Sequence, residues 1–308
     1  MRTLKKALSL VLVLAMVFAL AVPGFAADTT KKASDFKDYS KVTNKEAVDV
    51  LTAIGVINGN TDGTFGPEGN FTRAQAATII AHMMLGNGAD ALTKAATSFS
   101  DVPATHWASG YIQYCVNKGI LNGYGNGKFG PDDTLTATQW ALMLLGALGY
   151  NAKNEGIGGA GWEIATTKLA MKAGVASDTE LTGTFNRDVA AKMAFNTLTA
   201  DVVEYESNGT NITIGDTTIS TGASKAKVQN ALKDGSGTSA TERTYNGTND
   251  NKLQFCEQHF SKLKLTSTKT DNYQRTATNW ELNGKAITTG VKAANVTYTT
   301  AVKSSKIY

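Results

Sequence analysis

The chain has 308 residues, of which 42% are hydrophobic and 18% charged, and its formal net charge is +4. That is length for one or two domains. The nearly balanced charge gives no grounds for a nucleic-acid partner, which would call for clustered Lys and Arg.

Arg2, Lys5 and Lys6 precede an apolar run from Ala7 to Val22, and Pro23-Gly24-Phe25-Ala26 follows. A basic start, a short apolar stretch and small residues at Gly24 and Ala26 read as a secretory signal peptide over residues 1–26, cut after Ala26. The run is shorter than the roughly 20 apolar residues of a permanent anchor. No second stretch of spanning length follows, so the mature chain is expected outside the membrane. The leader takes three cations and no acid with it, which brings the net charge to about +1.

Residues 28–34 are a short polar leader to the first folded unit. Phe36-Lys37-Asp38-Tyr39 comes next and is echoed by Phe99-Ser100-Asp101-Val102. Residues 43–55 are predicted as a helix: Thr43 and Glu46 form a capping box, Ala47, Val50, Leu51 and Ile54 keep helical spacing, and Gly55 suits the stop. From Asn58 to Pro67 the chain is dense in Gly, Asn and Asp, the residues of tight turns, with Phe65 as the plug that pins the loop to the core. Asn58-x-Asn60-x-Asp62-Gly63 invites comparison with a calcium loop, but the twelfth position is Gly69 where a bidentate Glu is needed. A second helix starts at Thr72, capped with Gln75, and presents Ala76, Ile79, Ile80 and Met83 before Gly86.

The same order then recurs at an offset of 64 positions: Gly55 matches Gly119, Asn58 Asn122, Gly63 Gly127, Phe65 Phe129, Pro67 Pro131 and Thr72 Thr136. A constant offset across a turn and a helix start marks a copied supersecondary unit. The second copy predicts helices over residues 106–118 and 136–149. A third copy follows with a shortened loop. Trp162 aligns with Trp107, Gly174 with Gly119 and Asn186-Arg187 with Thr136-Ala137, while the Gly-x-Phe-x-Pro turn is missing. Units of this size cannot bury their own apolar faces and are expected to pack together.

Past Glu204 the chain turns rich in Thr, Ser, Asn and Gly. Residues 212–214 and 217–219 read as strands, residues 253–265 fit helix and strand periods equally, residues 280–287 read as a hairpin turning at Asn283-Gly284, and residues 296–302 as a last strand. Cys115 falls on a predicted helix as a small buried hydrophobe. Cys256 lies in what reads as a separate β-rich region, which argues against pairing the two. His82, His106 and His259 show no ligand spacing, so no metal and no cofactor is expected.

Phe71-Thr72-Arg73-Ala74-Gln75, Phe99-Ser100-Asp101-Val102, His106-Trp107-Ala108, Gly119-Ile120-Leu121-Asn122-Gly123-Tyr124 and Gly127-Lys128-Phe129-Gly130-Pro131 resemble the successive blocks of the S-layer homology repeat. The resemblance runs from about Phe36 to Tyr205. It implies an N-terminal all-α pseudo-threefold bundle of three helix-loop-helix repeats at 36–86, 99–150 and 161–205, the last degenerate; with the small β-rich region that the composition suggests at 207–308, the chain reads as α+β. It also implies grooves that bind secondary cell-wall polysaccharide on peptidoglycan, often through a pyruvate ketal. Arg73, in the first turn of its helix, and Arg187, at the matching place in the third repeat, are the expected carboxylate grips; Ala137 takes that place in the second. Trp107 and Trp162 serve either as core anchors or as sugar-stacking faces. Asp38 and Asp101 either cap a turn or line a groove. For Arg73 and Arg187 the bland alternative is a surface ion pair, as with Asp188.

These readings describe a secreted surface protein held non-covalently on a Gram-positive-type cell wall, with its β-rich part displayed outward or contributing by self-association to a surface layer. No nucleophile elbow, paired zinc ligands or placed acid pair appears, so the chain is not expected to be an enzyme. The alternative is a wall-active enzyme, a glycoside hydrolase or amidase, carrying the same anchor.

Overall fold

The computed structural model describes residues 32–92, 94–177, 179, 181–207, 209–214, 217–229, 252–270 and 276–288. The signal peptide at 1–26 and the strand expected at 296–302 lie outside these. Six helices form three helix-loop-helix pairs: α1 (Lys45–Ala53) with α2 (Arg73–Leu85), α3 (Ser109–Asn117) with α4 (Ala137–Ala147), and α5 (Trp162–Lys172) with α6 (Arg187–Leu198). Among the described residues no helix is long and apolar enough to cross a membrane.

The second helix of each pair begins as its sequence dictates. Thr72 Oγ1 accepts from the Gln75 amide at 3.4 Å while Gln75 Oε1 accepts from the Thr72 amide at 3.1 Å. Thr136 and Gln139 repeat the exchange at 3.2 and 2.9 Å, and Asn186 Oδ1 accepts from Val189 at 3.0 Å. The first helix differs from expectation. It starts at Lys45, and Thr43 makes no capping box. The Asp188 carboxylate of α6 accepts instead from the backbone amides of Thr43 and Asn44 at 3.2–3.3 Å and from Asn44 Nδ2 at 2.9 Å. A buried carboxylate at a helix N-terminus satisfies otherwise orphaned N–H groups and meets the positive end of the dipole. The cap is therefore supplied across 145 residues of sequence, which local patterning cannot reveal.

Each first helix packs on the second helix of another pair: α3 on α2, α5 on α4, and α1 on α6. Helix α4 also touches α2 and α6. At their junction Trp140 is fully buried, meets Phe71 edge-on at 5.0 Å and donates Nε1 to the Ala190 carbonyl at 3.1 Å. Phe71 in turn meets Phe185 at 6.0 Å. One aromatic cluster thus holds residues from all three repeats.

After the helices come short antiparallel strands: β1 (Val203–Glu204) pairs with β4 (Lys227–Val228), and β2 (Thr210–Ile214) with β3 (Thr217–Thr221). Then α7 (Phe255–His259) precedes a three-stranded sheet of β5 (Leu263–Thr270), β6 (Thr276–Leu282) and β7 (Lys285–Ala286). The ambiguous stretch 253–265 is resolved as both, one helical turn and then a strand. Asn283 (φ 54°) and Gly284 (φ 75°) make the expected hairpin turn, since the primed turn needs two left-handed residues. The chain is mixed α+β with a helix-rich N-terminal part.

The β-rich region is not the separate unit that its composition predicts. Phe255, Cys256, Leu263, Trp280 and Leu282 lie in the same core cluster as the helices. Trp280 packs edge-on against Phe195 of α6 at 5.4 Å, and α7 touches both α2 and α6. The ring of His259 makes a 2.9 Å bond with the Met84 carbonyl. Burial outweighs that bond and pushes the imidazole pKa down to about 4. Cys115 and Cys256 are both buried, and no disulfide joins them. Burial pushes the Cys115 thiol up to about 12, which leaves it protonated and unreactive.

Candidate functional site

Asp38 and Asp101 each hold a glycine-phenylalanine loop closed. Asp38 accepts from the amides of Phe65 and Gly66 at 2.7 and 2.8 Å, and Asp101 from those of Phe129 and Gly130 at 2.9 and 2.8 Å. Burial raises the Asp101 pKa, but the two amide bonds outweigh it and bring the carboxyl below its ordinary value. Gly130 sits at φ 70°, and a Cβ there would run into Asp133 and Tyr124. Each carboxylate is thus bracketed to its loop by both oxygens. Phe65 and Phe129, the expected plugs, are 1% and 0% exposed.

The arginines enter these loops from a different repeat. Arg73, of the first repeat, donates Nε to the Phe129 carbonyl at 2.7 Å and an Nη to the Asn122 carbonyl at 2.8 Å. Its guanidinium carbon lies 4.4 Å from the Phe129 ring centre and 4.7 Å from that of Tyr124. Arg187, of the third repeat, donates Nε to the Phe65 carbonyl at 2.9 Å and lies 5.2 Å from that ring. Burial is the largest influence on both and lowers their pKa values; Tyr124, Asp133 and Asp101 oppose it at Arg73, and Asp38 at Arg187. Both remain cationic at neutral pH. Neither forms a salt bridge among the described residues, and Asp188 is turned away toward α1.

The helix N-termini beside them are less open than the sequence suggested. The Arg73 and Ala74 amides donate to the Asp133 and Pro131 carbonyls at 3.0 and 2.9 Å, and the Arg187 and Asp188 amides to Gly69 and Pro67, both at 3.1 Å. These N–H groups are spent on the loops, so an anion has to be held by side chains.

Between α4, the second loop and the start of α5 lies a cavity of about 750 Å³ lined by Arg73, Lys118, Asn122, Gln139, Tyr150, Lys153 and Trp162, among others. It brings together two residues picked from sequence, Arg73 and Trp162, and three cations. Asp101 reaches the site indirectly, by bonding the Phe129 and Gly130 amides of the loop that holds Arg73. Arg187 and Asp38 share a separate junction, that of the third and first repeats. Trp107 does not line this cavity. It is 51% exposed and stacks on His106 at 5.8 Å. Sequence reading missed Lys118, Tyr124, Tyr150 and Lys153. Tyr124 follows the repeated Asn-Gly, a findable signal. Lys153 sits in a connector without a counterpart in the pattern.

The third junction differs. Ala137 stands where the arginine would be, and the loop it would enter is the one the third repeat lacks. A second cavity of about 760 Å³ opens there, lined by Leu135 to Thr138, Glu163, Ile164, Lys168 and Phe185 among others.

The family model of the S-layer homology domain matches residues 35–77 and 98–136. The chain is 38% identical over 154 residues to a cell surface protein of Thermoanaerobacter kivui, covering 49% of this chain and 19% of that protein. It is 34% identical over 87 residues to a cellulosome-anchoring protein of Acetivibrio thermocellus, covering 28% and 20%. With an endoglucanase of a Bacillus species it shares 31% identity over 153 residues, covering 48% and 16%. The chain spans a fifth or less of the length of these relatives. Residues 35–77 and 98–136 are S-layer homology repeats.

Proposed function

We propose that the chain anchors a secreted surface protein non-covalently to a bacterial cell wall by binding an anionic secondary wall polysaccharide. The single observation that carries this is the cavity lined by Arg73, Lys118, Lys153 and Trp162. Cations in a concave, partly desolvated site attract a carboxylate or phosphate, and an indole at the rim offers the apolar face that a sugar ring stacks on. A pyruvate ketal on the sugar would supply the carboxylate. Arg187, with Asp38 holding its loop, makes a second, smaller grip, and Trp107 an exposed stacking face on another edge. The pairing of α3 with α2, α5 with α4 and α1 with α6 supports a pseudo-threefold arrangement of three repeats with the third degenerate. The leader at 1–26 provides export, and the β-rich part faces outward, where it is free to associate with copies of itself in a surface layer.

The chain itself acts as an anchor and not as an enzyme. Relatives named as surface proteins and as an enzyme both carry the matched segment, which suits a module that serves different cargo. The test is binding of the mature chain to purified wall sacculi before and after acid removal of the secondary polymer. Binding lost with the polymer is expected; equal binding to stripped sacculi would sink the reading. Solubilised wall fragments in the same mixture would favour an anchored hydrolase.

A further inference from the structure

One wall of the cavity that holds Arg73 and Trp162 is the connector from Tyr150 to Ile157, which belongs to no helix and leads from α4 to α5. It carries Tyr150 and Lys153 into the cavity lining. Its own bonds give it a compact turn: Glu155 donates its amide to the Asn151 carbonyl at 3.0 Å and Ile157 to that of Ala152 at 2.7 Å. Asn151 Oδ1 accepts from the amides of Lys153 and Asn154 at 3.0 and 3.1 Å.

What ties this turn to the rest of the molecule is Tyr205, which lies beyond the last helix. Its hydroxyl donates to Glu155 Oε1 at 2.6 Å and accepts from the Asn151 amide at 3.2 Å. The tyrosine is itself placed by β1: Val203 donates its amide to the Leu148 carbonyl at 2.9 Å, and the Val203 carbonyl lies where a side chain on Gly149 (φ 99°) would have to go. The start and the middle of the cavity wall are therefore both fixed from the segment that follows α6. Burial first, and then the bond to Glu155, push the Tyr205 pKa up to about 12, so the hydroxyl keeps the proton it donates.

We propose that Tyr205 and Glu155 form a positioning clamp that sets the connector, and with it Lys153, against Arg73 and Trp162, so that ligand affinity at this cavity depends on the segment that follows α6. The proposal rests on the wall-polymer reading of the cavity. Neither residue touches the ligand; they act through Lys153 and Tyr150. A repeat module cut at the end of α6 would keep all six helices of the repeats and this wall, but lose the tyrosine that clamps it.

The experiment measures binding of the full chain to purified sacculi that carry their secondary polymer, together with hydrogen exchange at the Asn151 amide. Tyr205→Phe keeps the ring and deletes both hydrogen bonds. It is expected to weaken binding about three- to tenfold, the range of one or two ordinary hydrogen bonds, and to speed exchange at Asn151 while the thermal midpoint hardly moves. Glu155→Gln keeps an acceptor and is expected to bind nearly as the wild type, whereas Glu155→Ala should follow Tyr205→Phe. Lys153→Ala is expected to cost affinity alone but little more when added to Tyr205→Phe, because coupled residues are not additive. Wild-type affinity in Tyr205→Phe, or losses from Tyr205→Phe and Lys153→Ala that simply add, overturns the clamp alone. No polymer-dependent binding by the unmodified chain overturns the wall-polymer reading, and the clamp's purpose with it.

Discussion

Arg187 donates Nε to the carbonyl oxygen of Phe65 at 2.9 Å although 122 residues separate them, and Arg73 makes the matching bond to Phe129 at 2.7 Å. In both cases an arginine at the start of a second helix locks into the loop of another repeat. The first repeat's arginine serves the second repeat's loop, and the third repeat's arginine serves the first. At the remaining junction both halves are gone, the arginine as Ala137 and the loop with its Gly-x-Phe-x-Pro turn. A desolvated guanidinium without carbonyl partners is costly, so losing the loop removes the reason to keep the arginine. Two departures from the repeat pattern are thus one structural event.

Arg73 is expected to matter for stability before it matters for any ligand. It is 7% exposed, and two carbonyls depend on it. Arg73→Ala strips two charge-assisted bonds and leaves buried acceptors unpaired, a cost of about 2–4 kcal/mol. Arg73→Lys keeps the charge but cannot reproduce the planar fork between two rings and should cost about half as much. Urea unfolding of both variants measures this, and equal stability of Arg73→Ala and wild type would remove the lock.

Asp101 should give the stability an acid-dependent part. Its folded pKa lies below the ordinary carboxylate value, so its contribution is fully present above the unfolded value near pH 4 and is lost as pH falls through the lower folded value. Asp101→Asn keeps one acceptor but turns an NH2 toward the other amide, and is expected to cost about 1–2 kcal/mol at pH 7. The gap between variant and wild type should narrow as the pH falls below the ordinary carboxylate value and through the lower folded one. Urea midpoints at pH 7 and pH 3 check the sign; a gap that widens in acid would be the wrong one.

The local parts of this fold were legible in the sequence because their causes are local. Thr72 with Gln75 and Thr136 with Gln139 cap the helices that their spacing announced, and Asn283-Gly284 turns the hairpin that only two left-handed residues permit. What was not legible joins distant segments. Asp188 reads as a surface partner for Arg187, yet it caps α1 across 145 residues. The repeat pattern marks Arg73 as an anion grip on a free helix end, but the loop carbonyls that occupy that end come from another repeat. Within the candidate site, Arg73 and Trp162 were readable because they recur, whereas Lys153 and Tyr205 occur once and gain a role only when the chain folds.

Ala137→Arg tests whether the third junction is a damaged copy of the other two. Ala137 is buried and lines the 760 Å³ cavity, so the longer side chain has space. It would find no counterpart to the Phe129 carbonyl or ring. Without carbonyl partners the guanidinium is expected to cost about 1–3 kcal/mol of stability, and polymer binding to change by less than about twofold. A clear gain in binding would show that the charge alone makes a groove, without the loop.

Trp280 decides whether the β-rich region is an independent unit. It is 1% exposed and meets Phe195 of α6 edge-on at 5.4 Å, inside a core that also contains Phe255 and Cys256. Removing the indole leaves a cavity against a helix of the third repeat, so Trp280→Ala is expected to cost about 3–5 kcal/mol. Because the cavity borders α6, the loss should appear in the helical signal and not only in the hairpin. Differential scanning calorimetry of the wild type should give one transition spanning both regions, and the variant should lower that same transition. Two separable transitions, with only the smaller one moved by Trp280→Ala, would mean that the contact with α6 is too weak to couple them.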